Sequence, residues 1–315
     1  MRYDIVALGE LLVDITMTES TAAPPQMQGD AGGAPANVLA AATRLNGRTA
    51  FIGMVGDDRF GDFLTATLDA YQIDATGVMR TSEDRTTLAF VRIDAAGERD
   101  FTFARNPGAD TLLRPEDVCY ELIAQSRFFH FGALSLTHSP AREATWAAVD
   151  YAQCHGVTVS FDPNWRASLW PNEESARVQM RLGVEKANLV KVSEEELFLL
   201  TGCTDIEKGL AELAAPEKLV VATLGAKGCA YQLGNRTGAV PGVAVEAVDT
   251  TGAGDAFLGA LLMTLRTFKE SLERLSTEEL EEALLLANRV GAWTAGHRGT
   301  MAAFPTAADL KETLS

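Results

Sequence analysis

Residues 248–259 (VDTTGAGDAFLG) combine residue types at a spacing that could carry out phosphoryl chemistry. The apolar residues 243–248 are expected to form a strand that enters this glycine turn, and an apolar helix is expected to leave it. N–H groups at a helix N-terminus can hold an anion, and Gly252 and Gly254 let the main chain approach it. Asp255 would repel that anion, but it fits if it takes a proton from a hydroxyl that attacks phosphorus. The alternative is a plain N-capping role for Asp255.

A second glycine turn, Gly32-Gly33, opens an alanine-rich helix expected over residues 35–46, with Asn37 one turn in. Upstream, residues 4–15 form a near-continuous apolar run, which is typical of a strand buried on both faces. This run contains two isolated acids, Glu10 and Asp14. Because ligands in open α/β sheets bind at the carboxyl ends of strands, Asp14 is expected to face a ligand crevice. A solvent-facing strand end and an ordinary helix surface position are the alternatives for Asp14 and Asn37.

Strand-like and helix-like segments alternate regularly along much of the chain. The strand-like runs are residues 48–55, 128–134, 157–161, 189–192 and 219–224. This alternation predicts right-handed βαβ units and therefore an α/β fold, a doubly wound and mostly parallel sheet flanked by helices. A short hairpin is expected at residues 229–238, and closing helices near residues 277–295 and 307–314. With no internal repeat or interdomain linker visible, the prediction is a single domain over residues 1–315.

Residues 86–106 have a different character, because apolar and polar side chains alternate on both sides of Ala95-Ala96-Gly97-Glu98. This alternation predicts an antiparallel hairpin. Residues 16–30 are polar and contain Pro24 and Pro25, which indicates a connection or a short strand outside the core. We expect segments of about 15–31 and 86–106 to form a small β-sheet lid over a site. A plain extension of the sheet edge is the alternative.

Composition argues against several classes of protein. A net charge of −16 with a pI near 4.7 is unfavourable for binding nucleic acid. No apolar run reaches the roughly 20 residues of a membrane span, and no signal peptide precedes the first strand. A cytoplasmic protein without a membrane partner is therefore expected. The histidines lack metal-ligand spacing, and the cysteines form no C-x-x-C pair and are expected to be reduced thiols: Cys119, Cys154, Cys203 and Cys229.

Several common motifs are missing. The chain has no G-x-x-x-x-G-K-[ST] loop and no G-x-G-x-x-G after its first strand, so neither a P-loop nor a dinucleotide site is supported. No G-x-S-x-G surrounds Ser135, so a hydrolase elbow is not supported either. The expected strand ends are instead rich in acids and glycines and contain few cations, which suits a hydroxylated, neutral or mildly charged substrate and a metal-bound nucleotide. They carry Asp14, Gly32-Gly33, Ser135, residues 162–166, 193–196 and 223–228, and the Asp255 loop.

The two glycine turns and their neighbours resemble both signatures of the ribokinase-like (PfkB) carbohydrate kinases. The first signature matches Gly32-Gly33 with Asn37, followed by Gly53, Gly56 and Asp57, and the second matches residues 249–255. The resemblance extends from Asp4 to about Pro305. Within the family the chain is most similar to bacterial fructokinases, through GGAPAN, GERDFTFARNPGAD, FDPNWR, VKVSEEE and VDTTGAGDAF.

The resemblance implies an ATP-dependent kinase with a ribokinase-like fold that transfers the γ-phosphoryl group to a hydroxymethyl group of a sugar, D-fructose giving fructose 6-phosphate. Kinases acting on 2-keto-3-deoxygluconate, ribose or aminoimidazole riboside are alternatives, because selectivity depends on few side chains. A non-catalytic sugar-binding regulator is an alternative of another class. Retention of Asp255 together with both glycines, Gly252 and Gly254, argues against a regulator, because a binder needs no base.

The resemblance also assigns roles to residues. Asp255 is implied as the general base, and the N–H groups of Gly252, Ala253, Gly254 and Asp255 as the anion hole. Implied sugar contacts are Asp14, Gly32, Gly33, Asn37, Arg105, Ser135 and Arg166. Implied nucleotide contacts are Lys191, Ser193, Thr223, Gly225, Gly228, Gly254 and Asn288. A monovalent cation, K⁺, is implied at Asp249, Thr251, Thr294, His297, Gly299 and Ala303.

One position departs from the family pattern. Relatives often have Asn-x-x-Glu where this chain has Ser193-x-x-Glu196. Glu196 can still organise hydrated Mg²⁺, while the phosphate contact of the missing amide is put in doubt. Family members often dimerise through the lid, so a homodimer is expected, with Phe101 and Phe103 alternating on one lid strand as a candidate apolar face.

Overall fold

The computed structural model describes residues 1–18, 26–93, 99–268 and 271–313. Its strands are β1 (Tyr3–Leu8), β2 (Leu12–Thr18), β3 (Gln26–Gly32), β4 (Thr49–Gly56), β5 (Ile73–Thr81), β6 (Leu88–Ile93), β7 (Arg99–Ala104), β8 (Ser126–Gly132), β9 (Thr158–Asp162), β10 (Leu189–Ser193), β11 (Leu219–Thr223), β12 (Gly228–Leu233) and β13 (Arg236–Pro241). Its α-helices are α1 (Ala34–Arg44), α2 (Arg59–Ala70), α3 (Tyr120–Ala124), α4 (Ala141–Cys154), α5 (Glu173–Lys186), α6 (Glu194–Thr201), α7 (Ile206–Leu213), α8 (Ala253–Leu265), α9 (Thr277–Ala295) and α10 (Ala307–Thr313).

A nine-stranded sheet in the order β13-β12-β11-β10-β9-β8-β1-β4-β5 forms the body of the fold. Strands β11 to β5 in this order run parallel, and β12 and β13 extend the β11 edge in antiparallel fashion. One apolar core contains α1, α8 and α9, and a second contains α4, α5 and α6. The predicted doubly wound, mostly parallel α/β sheet is confirmed, and the hairpin at β12 and β13 was also expected. Strand β5 was not predicted.

Helix α8 is buried almost all round, as its apolar sequence predicts. It packs against α1, and a Cβ atom added at Gly259 would lie 2.7 Å from the carbonyl oxygen of Val38. The absence of a side chain at Gly259 therefore allows the close approach of the two helices. Because each helix begins at one of the glycine turns, this packing brings the two turns together.

A separate four-stranded sheet in the order β3-β2-β6-β7 forms the predicted lid sheet. β2 pairs with β3 and β6 with β7 in antiparallel fashion, while β2 and β6 run parallel. The expected turn at Ala95-Ala96-Gly97-Glu98 lies outside the described residues.

The prediction of one strand over residues 4–15 is wrong. The run divides into β1 in the main sheet and β2 in the lid sheet, and residues 9–11 connect them. A Cβ atom at Gly9 would lie 2.6 Å from the ring of Pro35, so the start of α1 crosses the chain at this point. Asp14 therefore belongs to a lid strand and not to the end of a main-sheet strand.

The strand expected at residues 243–248 is also absent. This stretch is irregular, and Val243, Val245 and Val248 are exposed. The N–H groups of Val248 and Asp249 donate to the carbonyl of Ala295 at the end of α9 and not to a neighbouring strand. Apolar composition alone cannot form a strand where no ladder partner is within reach.

Among the described helices, none is long and apolar enough to cross a membrane.

Candidate active site

Asp255 lies in the first turn of α8, directly after the turn at Gly252, whose φ is 73°. The Asp255 side chain is buried, and both carboxylate oxygens accept hydrogen bonds. The amide nitrogen Nδ2 of Asn37 donates to Oδ2 at 2.8 Å, and Nδ2 of Asn164 donates to Oδ1 at 3.2 Å. The carboxylate is thus held between the first turn of α1 and the segment that follows β9. Each carboxylate oxygen keeps a second lone pair that can accept a proton from a ligand.

The environment of Asp255 raises its pKa to about 6. Burial is the largest cause, and the charge of Asp162 adds to it, while Asn37, Lys191 and Arg166 oppose the shift. A carboxyl group with this pKa is mostly ionised at neutral pH and is more basic than an ordinary aspartate. These are the properties required of a general base.

Lys191 forms a buried ion pair with Asp162, at 2.8 Å between Nζ and Oδ2. Burial alone would lower the pKa of Lys191, but Asp162 and Glu196 outweigh it and hold the pKa above its ordinary value. Lys191 is therefore an ammonium ion. A Cβ atom at Gly254 would lie 3.1 Å from Lys191 Nζ, so this charge lies against the glycine turn.

Glu196 and Ser193 form a capping box at the start of α6. The Ser193 hydroxyl accepts from the Glu196 N–H at 3.1 Å, and Glu196 Oε2 accepts from the Ser193 N–H at 2.7 Å. Glu196 Oε1 accepts from the N–H of Trp165 at 2.8 Å. The serine that departs from the family pattern therefore has a structural role, which is to fix the direction of the Glu196 carboxylate.

Glu196 and Asp255 line one cleft of about 300 Å³. Within the described residues, no cluster of three or more His, Cys, Asp or Glu side chains could enclose a metal ion. Glu196 retains free lone pairs on oxygens that are already oriented, which fits a divalent ion held mainly by water and phosphate. The other cleft-lining residues are Asn164, Trp165, Arg166, Lys191, Ser193, Glu195, Thr250, Thr251, Gly252 and Gly254.

The helix N-terminus at Gly252 offers backbone donors to this cleft, because the first N–H groups of a helix lack partners within it. The Ala253 N–H donates to the carbonyl of Thr250 at 3.2 Å. Of the four N–H groups expected to form the anion hole, this one is already engaged in the turn. The other three expected N–H groups belong to Gly252, Gly254 and Asp255, and their role as an anion hole stays a prediction.

The Gly32-Gly33 turn packs tightly against β2 and against residues 9–11, which connect β1 to β2. A Cβ atom at Gly32 would lie 2.2 Å from Asp14 Oδ2, and one at Gly33 would lie 2.3 Å from the Glu10 carbonyl oxygen. Gly33 also has φ 114°, which disfavours other residues. Asp14 thus lies against the glycine turn from which α1 and Asn37 start. The structure brings together these four predicted sugar contacts.

Arg105 is completely buried in a network at the base of the lid. Its guanidinium donates to Asp110 at 2.7 and 2.9 Å, to the Thr137 hydroxyl at 2.8 Å and to the Leu134 carbonyl at 3.1 Å. Asp110 also accepts from the hydroxyl of Thr87, just before β6. The network joins both ends of the β6–β7 hairpin to the segment after β8. A contact between Arg105 and a sugar stays a prediction.

Two other predicted sugar contacts have partners within the protein. The buried Ser135 hydroxyl donates to the Gly132 carbonyl at 3.3 Å. Arg166 lines the cleft and donates to the carbonyl of Trp165 at 3.0 Å. The cleft position of Arg166 is therefore compatible with its predicted role, while the hydrogen bond of Ser135 goes to Gly132, which does not line the cleft.

The predicted nucleotide residues Thr223, Gly225 and Gly228 lie where β11 ends and β12 begins. Gly228 has φ 98°, and a Cβ atom there would lie 2.2 Å from the Val240 carbonyl oxygen. Asn288 in α9 donates through Nδ2 to the carbonyls of Val240 and Pro241, at 3.2 and 3.1 Å. Asn288 thus connects α9 to the β12–β13 hairpin, and a contact between Asn288 and a nucleotide stays a prediction.

Part of the predicted cation site is assembled. Asp249 accepts from the N–H groups of Thr251 and Gly299, at 2.9 and 3.2 Å. The buried Thr251 hydroxyl oxygen has no partner among the described residues, so an oxygen donor is available for an ion. The Thr294 hydroxyl donates to the Val290 carbonyl, and His297 Nδ1 lies 2.7 Å from the Trp293 carbonyl. Ala303 has no polar side chain, so it could contribute only a main-chain oxygen.

Asp162 and Asn164 were expected at a strand end as part of residues 162–166, but no role was assigned to either, although they hold Lys191 and Asp255. The signal was present in FDPNWR, an acid and an amide directly after a buried strand. Sequence alone could not show which strand end they would face. Asp110 and Glu10 escaped prediction because their importance comes from burial.

Comparison with known proteins finds a carbohydrate kinase family and proteins named fructokinase. The family model described as pfkB family carbohydrate kinase matches residues 2–307. "Fructokinase-1" of Oryza sativa subsp. japonica is 44% identical over 307 residues, which cover 96% of this chain and 94% of that protein.

Two solved proteins are similar in structure. Fructokinase from Xylella fastidiosa with bound ATP has a TM-score of 0.91 and 33% identity and covers 99% of this chain and 100% of its own. Fructokinase from Vibrio cholerae O395, in a form with fructose, ADP and calcium ion bound, has a TM-score of 0.90 and 37% identity with complete coverage of both chains. A double mutant of the latter, in a form with fructose, ADP and potassium ion bound, has a TM-score of 0.89 and 37% identity over 99% of this chain and 98% of its own.

Proposed function

This chain belongs to the pfkB family of carbohydrate kinases, and on that premise we propose that it transfers the γ-phosphoryl group of ATP to D-fructose, giving fructose 6-phosphate. The observation that carries the proposal is the position of Asp255, a buried carboxylate in the first turn of α8 with its pKa raised to about 6. The relatives named fructokinase support fructose as the acceptor.

The chain's own residues supply the base and the anion site. Asp255 takes the proton of the sugar hydroxymethyl group, whose oxygen attacks the γ-phosphorus while the bond to the β–γ bridging oxygen of ATP breaks. The N–H groups of Gly252, Gly254 and Asp255 face the charge that develops on the phosphoryl oxygens. The proton on Asp255 passes to solvent after ADP and the phosphorylated sugar leave. A positioned base of this type contributes about 10²- to 10⁴-fold to the rate.

Lys191 provides a fixed positive charge at this cleft, in addition to that of Arg166. Its ammonium lies against Gly254, where it can attract phosphate oxygens, and Asp162 holds it in place. Glu196 would hold Mg²⁺ through water, because its carboxylate is oriented by two backbone N–H groups. When bound with the nucleotide, the divalent ion neutralises phosphate charge.

A monovalent cation, K⁺, fits the turn at Asp249 and Thr251. Support comes from the carboxylate of Asp249 and from the Thr251 hydroxyl, which has no partner in the part of the chain that the structure describes. These residues immediately precede the helix that carries Asp255. A bound ion there would therefore stabilise the conformation of the turn. The potassium-bound form of the Vibrio cholerae protein is consistent with this proposal.

The lid sheet is proposed to close over the sugar and to join two copies of the chain. Closure excludes water, which would otherwise compete as the phosphoryl acceptor. Met17 and Met27 are exposed and pair across β2 and β3, so one part of this sheet offers an apolar contact. We also propose a cytoplasmic location, because ATP is the donor and the four cysteines are unpaired thiols.

The test is a set of initial rates of ADP release with ATP and Mg²⁺. Fructose, glucose, ribose, 2-keto-3-deoxygluconate and aminoimidazole riboside are compared as acceptors. We expect kcat/KM for fructose to exceed the others by about 10-fold or more. A higher value for another acceptor would replace fructose as the substrate. Sugar binding without ADP release would favour a non-catalytic regulator.

A further inference from the structure

Residues 162–165, at the end of β9 and directly after it, contact three groups of the proposed active site, each carried by a different element. Asp162 accepts from Lys191 of β10 at 2.8 Å. Asn164 donates to Asp255 of α8 at 3.2 Å, and the Trp165 N–H donates to Glu196 of α6 at 2.8 Å. Residues 162–165 therefore hold Lys191, the proposed base Asp255 and the proposed metal-binding Glu196.

The backbone of this segment aims the Asn164 amide at Asp255. Asn164 has φ 43°, in the left-handed region that asparagine tolerates better than most residues. Its N–H donates to Asp162 Oδ1 at 3.2 Å, which closes a local turn. The same Asp162 carboxylate thus fixes the turn through one oxygen and Lys191 through the other.

We propose that Asn164 is a positioning residue for phosphoryl transfer, because its side-chain amide and that of Asn37 together fix the orientation of the Asp255 carboxylate. The inference rests on the proposed function, in which Asp255 is the base. The two amides reach the carboxylate from different elements and bind different oxygens. Rotation of the carboxylate breaks both hydrogen bonds, so the remaining lone pairs keep a constant direction toward the acceptor hydroxyl. Loss of the Asn164 bond leaves one fixed oxygen, about which the other can swing.

The same hydrogen bond favours the ionised form of Asp255, since the amide donates to the charged carboxylate. The groups around Asp255 shift its pKa in both directions. Burial and Asp162 raise its pKa, whereas Asn37, Lys191 and Arg166 lower it. Removal of the Asn164 amide takes away a donor without touching these charges. The pKa of Asp255 should therefore rise.

Asn164→Gly tests this role, with Asn46→Gly as a matched control. Asn46 also has a positive φ, 64°, but it is exposed at the end of α1. Glycine accepts both backbone conformations, so both variants lose only a side chain at a left-handed position. We expect N164G to lower kcat by roughly 10- to 100-fold, with KM for fructose and ATP within about 3-fold, because misplaced groups mainly slow the chemical step. N46G should match the parent protein.

A carboxyl ¹³C NMR titration of the ligand-free protein gives a readout that does not depend on turnover. The Asp255 pKa should rise in N164G and stay unchanged in N46G. A kcat for N164G within about 3-fold of N46G, together with an unchanged Asp255 titration, would overturn the proposal. If the parent protein phosphorylates none of the acceptors, the proposed function fails, and the NMR titration still decides whether Asn164 holds the carboxylate.

Asn164→Asp provides a second variant if N164G does not fold. Aspartate has nearly the same shape and also tolerates positive φ, but its carboxylate cannot donate to Asp255. Two adjacent carboxylates repel each other, so N164D should lower kcat and raise the Asp255 pKa more than N164G does. A fully active N164D with an unshifted Asp255 would contradict the positioning role.

Discussion

The side-chain amide of Asn37 donates to the carboxylate of Asp255 at 2.8 Å, although the two residues are 218 positions apart in the chain. Asn37 lies in the first turn of α1, where a sugar contact is proposed, and Asp255 lies in the first turn of α8, where phosphate binding is proposed. The two helices pack directly on each other, with Gly259 allowing the close approach. The packing of α1 and α8 therefore sets the position of the proposed base, Asp255, relative to Asn37.

Replacing Asp255 by asparagine should abolish most turnover and leave sugar binding intact. In D255N the side-chain amide cannot take the hydroxyl proton, so kcat should fall by at least about 10²-fold. Steady-state rates of ADP release and calorimetric titration with fructose measure the two effects. Asp69→Asn is the control, because Asp69 is exposed on α2. Survival of turnover in D255N would show that Asp255 is not the base.

The kcat/KM for fructose should decline below a pH of about 6, because Asp255 must be ionised to act and its pKa is about 6. In Asp162→Asn this acidic limb should move to lower pH. The change removes a negative charge that raises the Asp255 pKa, and it leaves Lys191 unpaired, which lowers that pKa further. A pH–rate profile of D162N and of the parent protein checks the direction in which the acidic limb moves. A limb that stays in place or moves upward in D162N would contradict this account.

Gly33→Ala should destabilise the protein more than Gly156→Ala. Both glycines have positive φ, 114° and 68°, so alanine is strained at either site. A Cβ atom at Gly156 meets nothing within 4 Å, whereas one at Gly33 would lie 2.3 Å from the Glu10 carbonyl oxygen. Backbone strain alone costs about 1–2 kcal/mol, and we expect G33A to lose more. Urea unfolding of the two variants measures the difference, and equal losses would contradict the proposed clash.

Glu10→Gln should remove a pH-dependent loss of stability. Burial raises the pKa of Glu10 to about 7 from 4.5, so the folded protein binds the proton more tightly than the unfolded chain does. Stability from this group is present below pH 4.5 and is lost as pH rises to about 7. Glutamine keeps an acceptor for the Ala34 N–H, at 2.9 Å from Glu10 Oε1, and does not ionise.

The experiment compares the free energy of unfolding of E10Q and the parent protein at about pH 5 and pH 8. The advantage of E10Q should grow with pH, by up to about 3 kcal/mol, the value of a shift between two and three pKa units. An advantage that is constant or falls with pH would contradict the raised pKa.

Asp110→Asn should destabilise the protein strongly, because it leaves the guanidinium of Arg105 buried without its counter-ion. Breaking a buried ion pair costs about 3–5 kcal/mol. Asp150→Asn is the control, since the Lys186–Asp150 pair is partly exposed and pairs of that kind contribute about 0–1 kcal/mol. Denaturant unfolding measures both. A similar small loss in the two variants would show that the Arg105 network does not hold the base of the lid.

Local sequence patterns predicted much of the fold. Continuous apolar runs identified β4 and β8 to β11, since a strand in a parallel sheet is buried on both faces. Apolar runs predicted the wrong structure in two places, where the run is not a single buried strand. Residues 4–15 are apolar because two strands of different sheets follow each other, and residues 243–248 are apolar without a strand partner.

The sequence by itself determined the chemical inventory of the site: two glycine turns at helix starts, an aspartate beside one and an asparagine beside the other. These features depend on residue type and on spacing within one turn, which are local. The tertiary structure decided which groups meet. The contacts Asn37–Asp255, Asn164–Asp255 and Lys191–Asp162 join residues from separate elements. Only the packing of those elements brings them within hydrogen-bond distance, and burial in the folded chain is the largest cause of the raised pKa values of Asp255 and Glu10.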